Sequence, residues 1–269
     1  MKDIKEITKQ LEDGVKGVFN SDSYRQYLSF MGKFHHYSIN NSILIWIQMP
    51  TASHVAGYKA WMTKFNRQVR KGEKGITILA PCPHKFKKEV QTEDGFEEKT
   101  VEYMTYHPCT VFDISQTDGD EVPSICNELT GDVDNYEDLL ERLKKVAPCG
   151  VGFEDIKSGA LGYYSPSDNE IRVKNGMSQV QTVKTLVHEI AHAMMHNSAG
   201  EEKDADRYEK EVQAESVAYT VCTMLGISTD GYSFEYVADW SKSHDAKELV
   251  KSMEVIRRTA NTIYEGVAA

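Results

Sequence analysis

The residues best suited to chemistry lie in one short stretch, which reads His188-Glu189-Ile190-Ala191-His192. Two histidines four positions apart lie on the same face of a helix, so both rings can bind one zinc ion. Glu189 projects beside that ion, where its carboxylate can take a proton from an attacking water. The pattern H-E-x-x-H therefore predicts zinc-dependent hydrolysis, with His188 and His192 as metal ligands and Glu189 as the catalytic residue.

A third metal ligand is expected from a second helix. Glu211 and Glu215 lie one turn apart on a segment whose apolar residues predict a packed helix that ends at Gly226. An acid that faces inward on a packed helix is costly unless it is paired or binds metal. We favour Glu211 as the ligand because short helix-to-helix connections are usual. Glu215 would then accept the second N–H of a ligating histidine. The swapped assignment of the two acids stays open.

The elements that position these residues can be read from the surrounding sequence. Ser178 is a suitable N-cap for the metal helix, with Gln181 three residues later. The residues Val183, Leu186, Val187, Ile190 and Met194 form an apolar stripe. A bare H-E-x-x-H also occurs by chance on solvated helices, but a buried helix followed by two acids favours the metal site. His196 is interpreted as a partly exposed residue at the helix end.

A second group of residues favours nucleic-acid binding. Residues 23–88 contain eleven Lys and Arg but a single acid, Glu73. Basic side chains can follow a phosphate backbone while aromatic rings stack on bases. The candidate residues are Tyr58, Lys59, Trp61, Lys64, Arg67, Arg70, Lys71 and Lys74. The alternative is a solvated basic face over ordinary core aromatics, with Trp61 and Phe65 on the buried side of a helix.

The order of the elements predicts an α+β fold with two domains. Residues 1–126 read as helices followed by an antiparallel sheet, with equal numbers of acids and bases. Residues 127–269 read as mostly helical with a small sheet, and carry the whole net charge of −10. The polar, turn-rich residues 115–123 are the expected linker region. A hairpin over residues 159–174 precedes the metal helix, and is either an edge that binds substrate or a plain structural hairpin.

Composition and hydropathy exclude several other classes of protein. The chain has 269 residues, of which 40% are hydrophobic and 27% charged, as in an ordinary folded protein. The most apolar stretch, residues 43–47, is too short to span a membrane, and the first residues lack the apolar core of a signal peptide. None of the five cysteines lies in a C-x-x-C pair, so a disulfide framework is not expected. We expect a cytoplasmic protein without a membrane partner.

These motifs resemble known families. The residues 186–196, followed by Glu211 and Glu215, resemble the gluzincin metallopeptidases, which are zincin-like domains. Among them the segment looks most like the peptidase domain of ArdC-type antirestriction proteins and their LtrC-like relatives, and more distantly like the ImmA/IrrE peptidases. The first half resembles the ArdC N-terminal domain over residues 34–41, 48–50, 57–61 and 67–76.

The resemblance implies a function for each half. It implies single-stranded DNA as the partner of residues 1–126 and peptide hydrolysis by residues 127–269, in an antirestriction protein of a plasmid or conjugative element. In the family pattern the first of the two acids binds zinc, which supports Glu211. Many gluzincins have Asp as the second acid, where this chain has Glu215.

Two other functions remain open. The chain could be a regulatory peptidase that cleaves a DNA-bound repressor, as the ImmA/IrrE resemblance implies. It could also be a DNA-binding protein with a structural zinc that cuts no peptide. The sequence identifies neither the protein or peptide substrate nor the DNA sequence preference.

Overall fold

The computed structural model describes residues 4–19, 21–92, 95–121, 135–157, 159–227, 234 and 237–269. The fold is α+β, as the sequence predicts. The chain divides into two compact units, one from Met1–Leu11 and Ile43–Asp120, the other from Glu12–Ser42 and Glu121–Ala269. The predicted boundary between residues 126 and 127 lies outside the described residues, so it stays a prediction.

Strands dominate the first unit. Helices α1 (Ile4–Val18) and α3 (Ile39–Gln48) contribute residues to both units. The other elements of the first unit are β1 (Val55–Gly57), α4 (Tyr58–Lys64), β2 (Arg67–Val69), β3 (Ile76–Thr92), β4 (Gly95–Asp113), a 3-10 turn (Ile114–Gln116) and β5 (Thr117–Gly119).

All strand pairs of the first unit are antiparallel. One sheet has the order β1-β4-β3, and β2 pairs with β5 in a second sheet. Strands β3 and β4 form a long ribbon, from Ile76 opposite Val111 to Thr92 opposite Gly95. The sequence Glu93-Asp94-Gly95 predicts a hairpin turn between two strands, but Glu93 and Asp94 lie outside the described residues. Since β1 pairs only with the base of β4, the rest of this ribbon is two-stranded within the described part of the chain.

Helices dominate the second unit. Its elements are α2 (Ser21–Lys33), α5 (Tyr136–Val146), β6 (Gly150–Glu154), β7 (Gly162–Ser165), β8 (Glu170–Lys174), α6 (Gln179–Met195), α7 (Arg207–Met224), α8 (Val237–Lys242) and α9 (Ala246–Ala268). Helix α7 packs against α2, α6 and α9. Its residues Val212, Val217 and Val221 are fully buried. A helix covered on all sides forms the centre of a core.

The small sheet of the second unit contains the predicted hairpin. Strands β7 and β8 are antiparallel, β6 runs parallel to β8, and the order β6-β8-β7 leaves β7 at one edge. Asn169 has a φ of 51° between β7 and β8, a conformation that Asn tolerates in tight turns. Strands β7 and β8 contact α6, so the hairpin lies directly on the H-E-x-x-H helix. Among the described helices, none is long and apolar enough to cross a membrane.

Candidate metal centre

Helix α6 is held in place by its cap and its apolar face. The Ser178 side chain accepts the backbone N–H of Gln181, as the sequence predicts. The Gln181 side chain donates to Thr185 instead of reaching back, so only one half of the expected capping box forms. Leu186 and Ile190 are fully buried. Burying this stripe fixes the rotation of α6, and hence the direction of its two ligand histidines.

The two histidines of H-E-x-x-H converge on one point. The Nε2 atoms of His188 and His192 lie 3.0 Å apart. The side chain of Glu211 on α7 faces the same point. Its Oε2 lies 3.5 Å from His188 Nε2, and its Oε1 lies 3.7 Å from His192 Nε2. Two nitrogens and a carboxylate are thus gathered from two helices that pack against each other.

This donor set fits a divalent metal ion. Bonds of about 2.0–2.2 Å in a tetrahedron place ligand atoms about 3.3–3.6 Å apart. The three distances between donor atoms are 3.0, 3.5 and 3.7 Å, so one lies within that range, one just below it and one just above it. Three protein ligands leave a fourth position open, as catalytic zinc sites require. His188, His192 and Glu211 therefore form a candidate divalent-metal site.

Glu215 contacts the other side of the His188 ring. Its Oε2 lies 3.3 Å from His188 Nδ1, and its Oε1 pairs with Lys184 Nζ at 3.0 Å. A carboxylate on Nδ1 holds a histidine in the tautomer whose Nε2 can bind metal. The hydrogen bond expected between Glu215 and this ring is not formed, since His188 Nδ1 has no hydrogen-bond partner among the described residues. The roles of Glu211 and Glu215 therefore stay predictions. Lys184, which the sequence analysis missed, lies one turn before His188 on the same helix face, so helical spacing could have found it.

The charges of these groups are strongly coupled. Burial alone would lower the pKa of His188, but Glu211 and Glu215 outweigh it and raise that pKa to about 9. Contacts with His188 and His192 hold the pKa of Glu211 well below its usual range. Burial likewise opposes ionisation of Glu215, yet His188 and Lys184 lower its pKa overall. Both acids therefore stay ionised at neutral pH, as a metal ligand and its supporting carboxylate need to be.

Glu189 lies next to the donor set and is 7% exposed. Burial raises its pKa, and the backbone N–H of Tyr164 donates to its carboxylate. Gly162 makes room for this arrangement, because a Cβ there would lie 2.7 Å from Thr185 Cγ2 and 3.2 Å from Glu189 Cγ. The absence of a side chain at Gly162 thus lets β7 lie against α6 beside Glu189. A single glycine before two tyrosines gives no sequence signal for this role.

A cleft of about 580 Å³ opens onto the donors. Tyr163 and Tyr164 of β7 line one part of it, and Arg207 and Lys210 of α7 line another. Peptide hydrolysis also needs a group that binds the oxyanion, and the sequence offers Tyr163, Tyr164, Tyr219 and His196 without ranking them. Tyr219 does not fit this role, because it is 4% exposed and its hydroxyl contacts Ser29. Tyr163 and Tyr164 border the cleft and remain candidates for that role, whereas both ring nitrogens of His196 contact other side chains.

His196 does more than terminate α6. Its Nδ1 lies 2.9 Å from His192 Nδ1, and its Nε2 lies 2.8 Å from Gln213 Oε1. Gln213 is fully buried on α7 and donates to Ser252 on α9. Burial lowers the pKa of His196 to about 4. His196 is partly exposed at the C-cap of α6, as expected, and in addition it connects His192 to α7. The sequence signal for the contact between His196 and α7 was Gln213, a polar residue between Glu211 and Glu215 on a helix predicted to be packed.

The predicted nucleic-acid residues divide into three groups. Tyr58, Lys59, Lys64, Lys71 and Lys74 are exposed, as a binding surface requires. Trp61 is fully buried on α4, and its indole N–H donates to the Phe112 carbonyl at 2.8 Å. The expectation that Trp61 stacks on bases is therefore corrected. Its ring packs against Phe65 and His54, as in the alternative of a buried helix side.

Arg67 and Arg70 form the third group, because their guanidinium groups bind the protein itself. Arg67 donates to the carbonyl oxygens of Thr117, Gly119 and Asp120. Arg70 pairs with Glu73 at 2.8 Å and with Asp118 at 3.3 Å. Both arginines hold the segment around β5 onto β2 and the turn that follows it. Both guanidinium groups therefore already bind groups of the protein, which leaves fewer of their N–H donors for a phosphate.

Known proteins resemble both the sequence and the fold. Residues 3–112 match the family model of the N-terminal domain of anti-restriction factor ArdC. An uncharacterized Bacillus anthracis protein, pXO2-81, is 27% identical over 303 aligned residues, covering 96% of this chain and 51% of that protein. The chain thus spans about half the length of the curated relative that it matches.

Two crystal structures of the antirestriction protein ArdC from the R388 plasmid share this fold. One is metal-free and the other is Mn(II)-bound. Each aligns with a TM-score of 0.55 and 22% identity, over 86% of this chain and 85% of the other. Fold and site together define an α+β protein with an H-E-x-x-H candidate metal centre. The expected resemblance is confirmed: residues 3–112 match the ArdC N-terminal domain, and the chain shares its fold with ArdC.

Proposed function

We propose that this chain is an antirestriction-type protein of a mobile element, which binds single-stranded DNA and hydrolyses peptide bonds at a zinc site. The observation that carries the peptidase part is the convergence of His188, His192 and Glu211 beside the buried Glu189. The names of the matching ArdC family and structures support the antirestriction part.

The donor chemistry supports zinc as the resident metal. Two imidazoles and one carboxylate at tetrahedral spacing are a donor set that zinc commonly takes in hydrolases. Manganese prefers more oxygen donors. The R388 ArdC was crystallised with Mn(II), so the two metals should be compared directly. We expect zinc to bind this chain more tightly than manganese in competition titrations, and the reverse order would contradict the assignment.

The proposed mechanism assigns one task to each residue. Bound zinc would supply Lewis acidity to a carbonyl and to a water molecule. Glu189, kept beside the donors by β7, accepts the proton of the attacking water and returns it to the leaving amine. Glu215 and Lys184 hold the His188 ring in its orientation. His196 and Gln213 do the same for His192.

The cleft supports an extended peptide as the substrate. Strand β7 lies at the edge of its sheet, and Gly162, Tyr163 and Tyr164 line the cleft. An extended segment can pair with the backbone of such an edge strand by strand addition. This favours the substrate-binding interpretation of the hairpin over a purely structural one.

Digestion of a mixed peptide library tests the peptidase part. Zinc-loaded full-length protein should create new peptide termini that mass spectrometry detects. Glu189→Gln should abolish them while it retains the same zinc content. Glu248→Gln, which alters an exposed acid of α9, serves as the control and should cleave normally. Identical peptide patterns for the wild type and Glu189→Gln would instead indicate a non-catalytic metal.

The DNA-binding part depends on exposed lysines around a turn that the structure holds rigidly. The turn after β2 contains Lys71 and Lys74. Its backbone is fixed by Gln116, whose side chain donates to the Lys74 carbonyl at 2.9 Å, and by the Arg70–Glu73 pair. When DNA binds, a turn that is already rigid loses less conformational entropy than a mobile loop. Lys59 and Lys64 add two charges on α4.

Salt dependence tests the DNA part. Replacing Lys59, Lys64, Lys71 and Lys74 by Gln should weaken binding of the full chain to a labelled oligothymidine and flatten the dependence of affinity on salt. The control replaces four exposed lysines of the second unit by Gln: Lys145, Lys157, Lys203 and Lys247. It removes the same charge and should leave DNA binding unchanged. If the wild type does not bind single strands even at low salt, the repressor-cleaving alternative becomes the better account.

A further inference from the structure

The ribbon of β3 and β4 carries a second cluster of metal-ligating side chains. Cys82 and His84 lie two residues apart on β3, and His107 lies on β4. One donor atom from each lies within 4.8 Å of the others. Cys82 and His84 are half-buried and His107 is exposed, so an ion could enter from solvent.

The strand register explains this convergence. Cys82 opposes Thr105, His84 opposes Tyr103 and Ala80 opposes His107. Residues opposite each other in an antiparallel pair share a face, and so do residues two apart on one strand. Cys82, His84 and His107 therefore lie on the same face. Hydrogen bonding between the strands keeps them there.

Neighbouring side chains orient the two imidazoles. The Thr105 hydroxyl lies 2.7 Å from His84 Nε2 and 3.3 Å from His107 Nε2, so both rings face a shared point. The Tyr103 ring stacks on the His84 ring, with centroids 5.0 Å apart and planes 18° from parallel. The orientation of His84 is thus supported on two sides.

We propose that Cys82, His84 and His107 form a second metal site, for zinc or a chemically similar divalent ion. A thiolate and two imidazoles are a donor set that zinc takes readily, with a fourth position left for water. Zinc would need the three donors about 3.3–3.6 Å apart, so small rotations of the side chains are enough to close the site. The ion would cross-link the two strands that the described part of the chain contributes to the ribbon at this point.

Such a cross-link has a physical consequence. Two-stranded ribbons are marginally stable in water, because half of their backbone hydrogen-bonding groups have no strand partner. Metal binding to the folded ribbon alone would stabilise it by mass action. The site is therefore structural in our proposal, and separate from the H-E-x-x-H centre.

Cobalt substitution tests this proposal. A cobalt ion bound by a thiolate gives a near-ultraviolet charge-transfer band that a site of histidines and a carboxylate lacks. The full chain, with His188→Ala to remove the first site, should show this band and bind one equivalent of cobalt. Adding Cys82→Ser should abolish the band, and His107→Gln should weaken cobalt binding at least tenfold.

Cys109→Ser is the matched control, since Cys109 lies on the same strand face two residues beyond His107 but outside the cluster. It should keep the band. A band that survives Cys82→Ser, or a His188→Ala protein that binds no cobalt, would overturn the proposal. Circular dichroism shows whether each variant is folded. If Cys82→Ser does not fold, His107→Gln still tests the proposal, because it alters an exposed side chain.

Discussion

Glu211 and Glu215 lie one helical turn apart, yet they contact opposite nitrogens of His188. Glu211 faces Nε2 together with His192, whereas Glu215 faces Nδ1 and pairs with Lys184. This difference assigns metal binding to Glu211 and orientation of the ring to Glu215 in our account. It also gives the two acids different expected effects on metal affinity.

Glu215→Gln should weaken zinc binding by about 10- to 100-fold, as the loss of a carboxylate that supports a ligand usually does. Glu211→Gln should weaken it further, because a direct ligand is lost. Titration of metal-free protein with zinc against a competing chelator measures both affinities, in a Cys82→Ser background that removes the proposed ribbon site. A larger effect at Glu215 would show that the two roles are reversed.

Trp61→Ala should destabilise the protein by about 3–5 kcal/mol, the usual cost of emptying a core position of a large aromatic. It also leaves the Phe112 carbonyl without the indole N–H. Tyr58→Ala, at a residue that is 47% exposed, should change the free energy of unfolding by less than about 0.5 kcal/mol. Denaturant titrations compare the two. A stable Trp61→Ala protein with weakened DNA binding would restore the stacking role.

Sequence spacing predicted that His188 and His192 converge but not that Trp61 is buried, and the difference has a physical reason. His188 and His192 are brought together by one helical turn, whatever the rest of the chain does. The burial of Trp61 depends on a ring contact with His54 and on a hydrogen bond to the carbonyl of Phe112, which lies far along the chain. A short helix that carries both lysines and aromatics does not reveal which aromatic faces the core.

At the scale of elements, the metal centre depends on how closely β7 lies on α6. Gly162→Ala should push these two elements apart, because its Cβ would lie 2.7 Å from Thr185 Cγ2. Overpacking of this kind costs about 1–3 kcal/mol. Gly17→Ala is the control, since a Cβ there meets no atom within 4 Å and Ala favours the helix. Thermal melts should show a lower midpoint for Gly162→Ala only; equal midpoints would contradict the close packing.

Elements defined by local periodicity and short turns were predictable from sequence, whereas the register of the long β3–β4 ribbon was not. The helix after Ser178 and the hairpin of β7 and β8 follow from capping, spacing and turn residues. The Cys82, His84 and His107 cluster depends on the register of β3 against β4. Sequence alone does not fix that register, because it depends on which residues of two long strands face each other.

At the scale of the whole molecule, the compact units do not follow the order of the chain. Helix α2 comes early in the sequence but packs on α7 of the second unit. The Tyr24 hydroxyl lies 2.8 Å from that of Ser216, and Leu28 and Met31 are buried. The sequence could not reveal this packing, because an amphipathic helix does not specify its partner.

This packing predicts the behaviour of a fragment made of residues 1–126. It retains α2 but lacks α7, so the buried face of α2 would be exposed to water. We expect the fragment to bind a hydrophobic dye and to melt without a cooperative transition, whereas the full chain melts cooperatively. A fragment that folds cooperatively and binds no dye would support residues 1–126 as an independent domain.

The metal centre between α6 and α7 is the basis of the proposed function, and diffraction at the zinc edge tests it most directly. Crystals of the zinc-loaded full chain should give an anomalous peak about 2.0–2.2 Å from His188 Nε2, His192 Nε2 and one oxygen of Glu211. Glu215 should remain on the far side of the His188 ring. Zinc-loaded crystals with no peak between these helices, or a peak bound by Glu215 with Glu211 turned away, would contradict the account.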